Sequence, residues 1–222
     1  DYSLALMMHS IRRTLAWIAA AISCYSVSFA DDKGPVRVFI FAGQSNMVGS
    51  DSKLDDIKRF PPFAGLEQAQ PAVKFSYTIG RENKITSDGW VDLQPVNNVV
   101  GPELSFARKV TQHIDVPIAI IKCAAGGTHL GGDWNPDNPS GFKMYPLTLQ
   151  LIRSSLAAFD EQEIPYRIEG VMWHQGENDM FEADYMKDYG RNLAHLLARW
   201  RRDLSAPELK FYIGELCTTT IW

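Results

Sequence analysis

At 222 residues, with 45% hydrophobic and 22% charged residues, the chain has the length and balance of one soluble domain with a substantial core. A formal net charge of −4 leaves no general electrostatic footprint for nucleic acid or for an anionic membrane surface. Three cysteines, Cys24, Cys123 and Cys217, match neither a zinc site nor a C-x-x-C redox pair, and imply no disulfide framework.

The N-terminal stretch reads as a secretory signal. Arg12-Arg13 precede the apolar run Thr14 to Ile22, and Ser28-Phe29-Ala30 supplies a small-x-small cleavage site. The run is shorter than the roughly 20 residues of a membrane span. The expectation is a start at Met7 or Met8, cleavage near Ala30, and a secreted or periplasmic product with no stable membrane association. An uncleaved anchor and a lipid anchor at Cys24 are the alternatives. Residues 1–30 are set apart, and 31–222 are expected to form one domain.

Val36 to Ala42 is an apolar run with little alternation, the pattern of a strand buried on both faces. It ends in the turn Gly43-Gln44-Ser45-Asn46. Ser50 to Gln70 is a polar excursion around Phe60-Pro61-Pro62, placed to form one rim of a cleft. Val73 to Tyr77 reads as a short strand, and Arg81 to Leu93 as a loop or hairpin turning at Ser87-Asp88-Gly89. Gly101-Pro102-Glu103 opens a helix, with proline and an acid in its first turn.

Val116 to Lys122 is a second buried strand, running into Ala125-Gly126-Gly127-Thr128. Cys123 at its end is read as a small buried hydrophobe. A Gly-, Asn- and Pro-rich loop covers Gly131 to Phe142. Tyr145 to Asp160 is a helix. Ile168 to His174 is a third strand, ending in Gln175-Gly176-Glu177. A long helix covers Ala183 to Leu204, with Tyr189, Leu193, Leu196, Leu197 and Trp200 at core spacing. The basic run Arg199 to Arg202 lies at its end, where cations complement the helix dipole. Leu209 to Gly214 is a fourth strand. Alternating strands and helices predict an α/β class with a mainly parallel sheet.

Three strand ends thus carry three polar turns, and the carboxyl ends of parallel strands share one edge. Each turn alone has a structural explanation, as a tight connection or a helix cap. Together they offer what acyl transfer needs: a serine nucleophile, N–H donors for an oxyanion and a carboxylate. The spacing fails the Gly-x-Ser-x-Gly elbow of α/β-hydrolases. Asp51, Asp55, Asp56 and the acids of 133–137 lack EF-hand spacing and read as solvated loop. No metal cluster, P-loop or dinucleotide fingerprint is found, so no cofactor is expected.

Four blocks carry a resemblance: Gly43-Gln44-Ser45-Asn46-Met47-x-Gly49, Gly101-Pro102-Glu103-Leu104-x-Phe106-Ala107, Lys122-x-Ala124-x-Gly126-Gly127-Thr128 and Trp173-x-Gln175-Gly176-Glu177-x-Asp179. In order and content, the chain from Val36 to Glu215 resembles the sialate O-acetylesterase-like carbohydrate esterases, carbohydrate esterase family 6 of the SGNH hydrolase superfamily. The resemblance implies a flavodoxin-like three-layer sandwich and removal of acetyl groups from a sugar or a polysaccharide such as xylan. It implies Ser45 as nucleophile. The Ser45 N–H, a glycine N–H of Gly126-Gly127 and the Gln175 side chain are implied as the oxyanion hole. Glu177 is implied as acid partner of the base, with Gln44, Asn46 and Glu103 in support.

The family places its catalytic histidine in a late Asp-x-x-His block, and no such block follows Leu209–Gly214 here. The expectation is a C-terminally truncated chain of weak or no activity. Aggregation of 31–222 is expected with it. His9, His113 and His195 are poorly placed to replace the missing base. Strand alternation aims His174 away from the face used by Gln175, which leaves His129 as the stand-in. Two alternatives remain: a non-catalytic carbohydrate-binding protein, with a cleft near Trp134-Asn135-Pro136, and a hydrolase of another ester on the same fold.

Overall fold

The computed structural model describes residues 33–216. The expected signal segment with Cys24 and His9, and Cys217 with the last five residues, lie outside them. A seven-stranded sheet in the order β3-β2-β5-β1-β6-β7 forms the middle layer, with β4 pairing off β2. Its strands are β1 (Val36–Gly43), β2 (Gln70–Ile79), β3 (Ile85–Thr86), β4 (Val91–Leu93), β5 (Ile118–Ala124), β6 (Tyr166–His174) and β7 (Lys210–Ile213). β2, β5, β1, β6 and β7 run parallel, whereas β3 and β4 pair antiparallel with β2. The segment from Arg81 to Leu93, expected as a loop or hairpin, therefore holds two short strands that both dock on β2. The turn at Ser87 is held by its hydroxyl donating to Gly89 O, 2.8 Å away.

Among the described residues, four α-helices accompany the sheet: α1 (Ser45–Val48), α2 (Pro102–Val110), α3 (Met144–Asp160) and α4 (Ala183–Asp203). β1 and β5 are buried on both faces because two cores flank them. Val38, Ile40 and Ala42 of β1, with Ala119 and Ile121 of β5, pack against Ile152 and Phe159 of α3 and Leu196 and Trp200 of α4. The alternate residues Phe39 and Phe41, with Ile118 and Ile120, pack against Met47, Leu104 and Ala107. Burial of each such side chain is worth about 1.5–3 kcal/mol, so period-two alternation between two cores fixes the register of the whole sheet. The arrangement is the three-layer α/β fold expected from the sequence.

β2 is longer than Val73–Tyr77 because each end finds a partner. Gln70 donates its side-chain amide to Leu104 O at 3.0 Å, and Ile79 lies opposite Ala124. Cys123 is a buried free thiol whose pKa is pushed up to about 12 by burial, an inert core position. β7 closes one side of the sheet as an edge strand, with Tyr212 and Ile213 half exposed. No helix among the described residues is long and apolar enough to cross a membrane.

Candidate active site

β1 is the central strand, and β5 and β6 flank it in parallel. Gly43 lies opposite Ala124 on one side and His174 on the other, so the three strands stop at the same level. The chain crosses from the β5 side to the β6 side of β1, and such a switch point opens a crevice at the carboxyl edge. All three polar turns meet there.

Gly43 is required at the end of β1. A Cβ on it would sit 2.0 Å from His174 O and 3.0 Å from Met47 Cβ. The close approach lets Gln44 N donate to His174 O at 3.0 Å. Gln44 is buried, and its side-chain oxygen accepts from Gly176 N at 3.2 Å and Asn178 N at 3.4 Å. It therefore locks the serine turn to the β6 turn. Ser45 follows, half-buried, as the first residue of α1. Its N–H belongs to the opening turn of a helix, where no intrahelical acceptor exists. Across the gap, a Cβ on Gly126 would stand 3.6 Å from Ser45 Cβ, so the Gly126-Gly127 turn faces the serine with backbone alone.

Asn46 is exposed and donates its amide to Glu177 Oε1. The other oxygen, Glu177 Oε2, is buried with no hydrogen-bond partner among the described residues. His174 Nε2 lies 3.8 Å from Glu177 Oε1. The Ser45 hydroxyl itself meets no hydrogen-bond partner among the described residues.

Two expectations about these side chains need revision. Alternation along β6 does separate His174 from Gln175, but Gln175 is the one turned inward. It is 1% exposed, and its two amide hydrogens go to Thr128 O at 2.9 Å and Asp179 Oδ2 at 2.5 Å. A primary amide has two donors, so none is left for an oxyanion in this arrangement. His174 instead lines the cleft beside Asn46. His129 is held elsewhere, its ring 5.4 Å from that of Tyr185 and its Nδ1 3.6 Å from Asp133 Oδ2. His113 is exposed beyond α2, and His195 faces Asp137 at 3.1 Å on α4.

The cleft is a cavity of about 540 Å³ along α1. Its far wall carries Ile57, Phe60, Phe63 and Leu66, so the excursion after Ser50 does form a rim. Trp134 is not part of it. That residue is fully buried, donates Nε1 to Thr128 Oγ1 at 3.1 Å, and meets Trp173 edge-on at 5.0 Å.

Three buried polar groups, Asp133, Asp179 and Lys122, hold the surrounding turns in place. Asp133, taken for solvated loop, is 4% exposed and accepts from His129 N at 2.8 Å and Phe142 N at 2.7 Å. Asp179 accepts from Leu130 N at 2.8 Å and Gly131 N at 3.1 Å. Both organise the loop that follows Gly127. Lys122 Nζ donates to Glu103 Oε2 at 2.6 Å and to Val48 O at 3.2 Å. Glu103 thus acts through Lys122, which holds the last carbonyl of α1. A Cβ on Gly101 would fall 2.3 Å from both charged atoms, which explains glycine ahead of Pro102-Glu103. Among the described residues, no group of three His, Cys, Asp or Glu side chains is placed to hold a metal ion.

Residues 35–221 match the sequence model of a family described as carbohydrate esterase, sialic acid-specific acetylesterase. A probable carbohydrate esterase of Arabidopsis thaliana is 27% identical over 187 residues, which cover 79% of this chain and 66% of that protein. The chain therefore spans slightly less than two thirds of that relative. The solved structure from the same Arabidopsis locus superposes with a TM-score of 0.58 at 21% identity, over 81% of this chain and 74% of the other. NanS gives 0.58 at 20% identity, over 83% and 68%. XAC1771, a carbohydrate acetylesterase from Xanthomonas citri, gives 0.50 at 18%, over 79% and 40%. At these identities the superpositions establish a shared fold.

Proposed function

The chain belongs to the sialic acid-specific acetylesterase family of carbohydrate esterases, and from that premise we propose that it is a secreted carbohydrate O-acetylesterase with Ser45 as its nucleophile. One observation carries the reading. Ser45 stands at the carboxyl end of the central strand, facing a glycine turn whose would-be Cβ lies 3.6 Å from its own.

The Ser45 oxygen attacks the acetyl carbonyl, and the sugar oxygen leaves with a proton. Water then releases acetate from acetyl-Ser45. The oxyanion is held by the N–H groups of Ser45 and of Gly126 or Gly127, and such donors each supply roughly 3–4 kcal/mol in comparable sites. Glu177 is a carboxylate for orienting a base, with Asn46 bonded to it. The sugar ring is assigned to the neighbouring cleft, which Asn46 and His174 line on the Ser45 side and Phe60 and Phe63 wall on the other.

Among the described residues, no base is in hydrogen-bond contact with the Ser45 hydroxyl. The commitment of the Gln175 amide to Thr128 O and Asp179 Oδ2 favours a second reading, a carbohydrate-binding protein that retains the cleft without turnover. Acetate release from O-acetylated sialic acid and acetylated xylan, by the full chain and by Ser45→Ala, separates the two. Release that Ser45→Ala abolishes supports the esterase. Binding of the acetylated sugar with no release, unchanged in Ser45→Ala, supports the binding protein.

A further inference from the structure

The lining of the cleft next to Ser45 is split by its source. Asn46, His174 and the turn after α1, with Asp51, Ser52 and Lys53, supply polar groups. The other wall comes from the excursion that follows, where Ile57, Phe60, Phe63 and Leu66 face the same cavity. Asp56, at the start of this wall, is paired with Arg59 at 2.8 Å. Ile57 and Leu66 are buried, whereas Phe60 and Phe63 stay 47% and 46% exposed. Their ring centroids lie 6.4 Å apart with planes inclined at 60°, so the two rings form an open notch.

The wall is braced from behind. Arg108 of α2 donates from Nη1 to Ala64 O at 2.9 Å and from Nη2 to Pro62 O at 2.8 Å, which pins the chain on both sides of Phe63. The Arg59 guanidinium lies 5.6 Å over the Phe60 ring and covers one of its faces. Half-exposed rings on a braced wall, rimmed by polar groups, are the pattern of a ligand groove.

The chemistry of that wall selects its occupant. Its four apolar side chains offer no hydrogen-bond donor or acceptor. A second sugar ring placed there would leave hydroxyl groups unpaired and stripped of water. An aromatic ring has nothing to leave unpaired, and it gains by covering the two phenyl groups. The cavity, about 540 Å³, also falls within the roughly 300–1,000 Å³ of sites that enclose a drug-sized molecule.

We propose that Phe60 and Phe63, backed by Ile57 and Leu66, form an aglycone subsite, so that the chain takes acetylated glycosides of aromatic alcohols in preference to acetylated free sugars or oligosaccharides. The inference rests on the esterase reading for the ester placed at Ser45, but its binding test does not.

Phenyl β-xyloside, methyl β-xyloside and xylobiose are titrated by calorimetry into the full chain, Phe60→Ala, Phe63→Ala and the double variant, with folding checked by urea denaturation. Acetate release from the monoacetylated forms of the three is measured in parallel. The phenyl glycoside is expected to bind about tenfold or more tighter than the other two, and the double variant to lose that margin. Should the double variant unfold, the single ones carry the same comparison. Equal affinities for the phenyl and methyl glycosides, or folded variants that bind the phenyl glycoside as well as the parent, overturn the subsite. Xylobiose bound as tightly as the phenyl glycoside overturns it in favour of a second sugar. Binding that depends on Phe60 and Phe63, with no acetate release, strikes the esterase reading and leaves the subsite standing.

Discussion

Lys122 Nζ and Glu103 Oε2 meet at 2.6 Å with side chains 1% and 3% exposed, directly beneath the helical turn that begins at Ser45. Burial lowers the Lys122 pKa, and the Glu103 carboxylate opposes that shift. The pair matters through what it holds, since Lys122 also donates to Val48 O at the end of α1. Lys122→Met leaves a buried carboxylate unpaired and is expected to cost about 3–5 kcal/mol in urea denaturation. Lys122→Met with Glu103→Leu removes both charges and is expected to recover most of that loss. A double variant no better than the single one contradicts this account.

Gln175 distinguishes a structural role from a catalytic one. Its amide bonds to Thr128 O and Asp179 Oδ2 predict that Gln175→Ala loses about 2–3 kcal/mol of stability, because buried partners are left unsatisfied. An oxyanion donor would instead cost about 10²–10³ in kcat with stability unchanged. Denaturation midpoints and acetate-release rates on the same preparation decide between them.

The end of α4 is tied to α3 by Tyr145 donating to Asp203 Oδ2 at 2.7 Å. That bond, with the charges of Arg202 and Arg199, holds the Asp203 carboxyl below its ordinary range, and burial opposes the shift. A depressed carboxyl contributes fully above its unfolded value of about 3.9 and loses the contribution as pH falls through the folded value. Asp203→Asn should therefore lower stability by about 1 kcal/mol at pH 7, with the gap to the parent closing only as the pH falls below about 3.9 and through the depressed Asp203 value. A constant gap between the two across this range, followed by denaturant unfolding, goes against the assignment.

On β7, Tyr212 and Ile213 are 49% and 50% exposed on an edge strand. Among the described residues nothing covers this edge, and an apolar edge promotes strand pairing between molecules. Ile213→Lys should reduce self-association without loss of stability beyond about 0.5 kcal/mol. Light scattering over a concentration series checks this, and unchanged association places the sticky surface elsewhere.

The fold was legible because both its signals are local. Val36 to Ala42 and Val116 to Lys122 are apolar without interruption, and strands covered on both faces look like that. The turns were legible as polar breaks at the strand ends. Partnership across the sheet was not. Lys122 reads as the polar stop of a strand, and only its register opposite Phe41, on the α2 face, shows that Glu103 must meet it. Asp133 and Asp179 look like loop acids, because the N–H groups they accept from, at His129, Phe142, Leu130 and Gly131, are supplied by turns that no periodicity reveals. His174 and Gln175 were correctly set on opposite faces, but alternation does not say which face is the cleft.

The central claim is that Ser45 forms the acetyl-enzyme. The direct measurement is acid quenching of the full chain during turnover of an acetylated sugar or p-nitrophenyl acetate, followed by peptide mass spectrometry. The account predicts an acetyl group on the Ser45 hydroxyl that appears with substrate and is absent from Ser45→Ala. Acetate release with Ser45 unmodified throughout, and undiminished in Ser45→Ala, would contradict it.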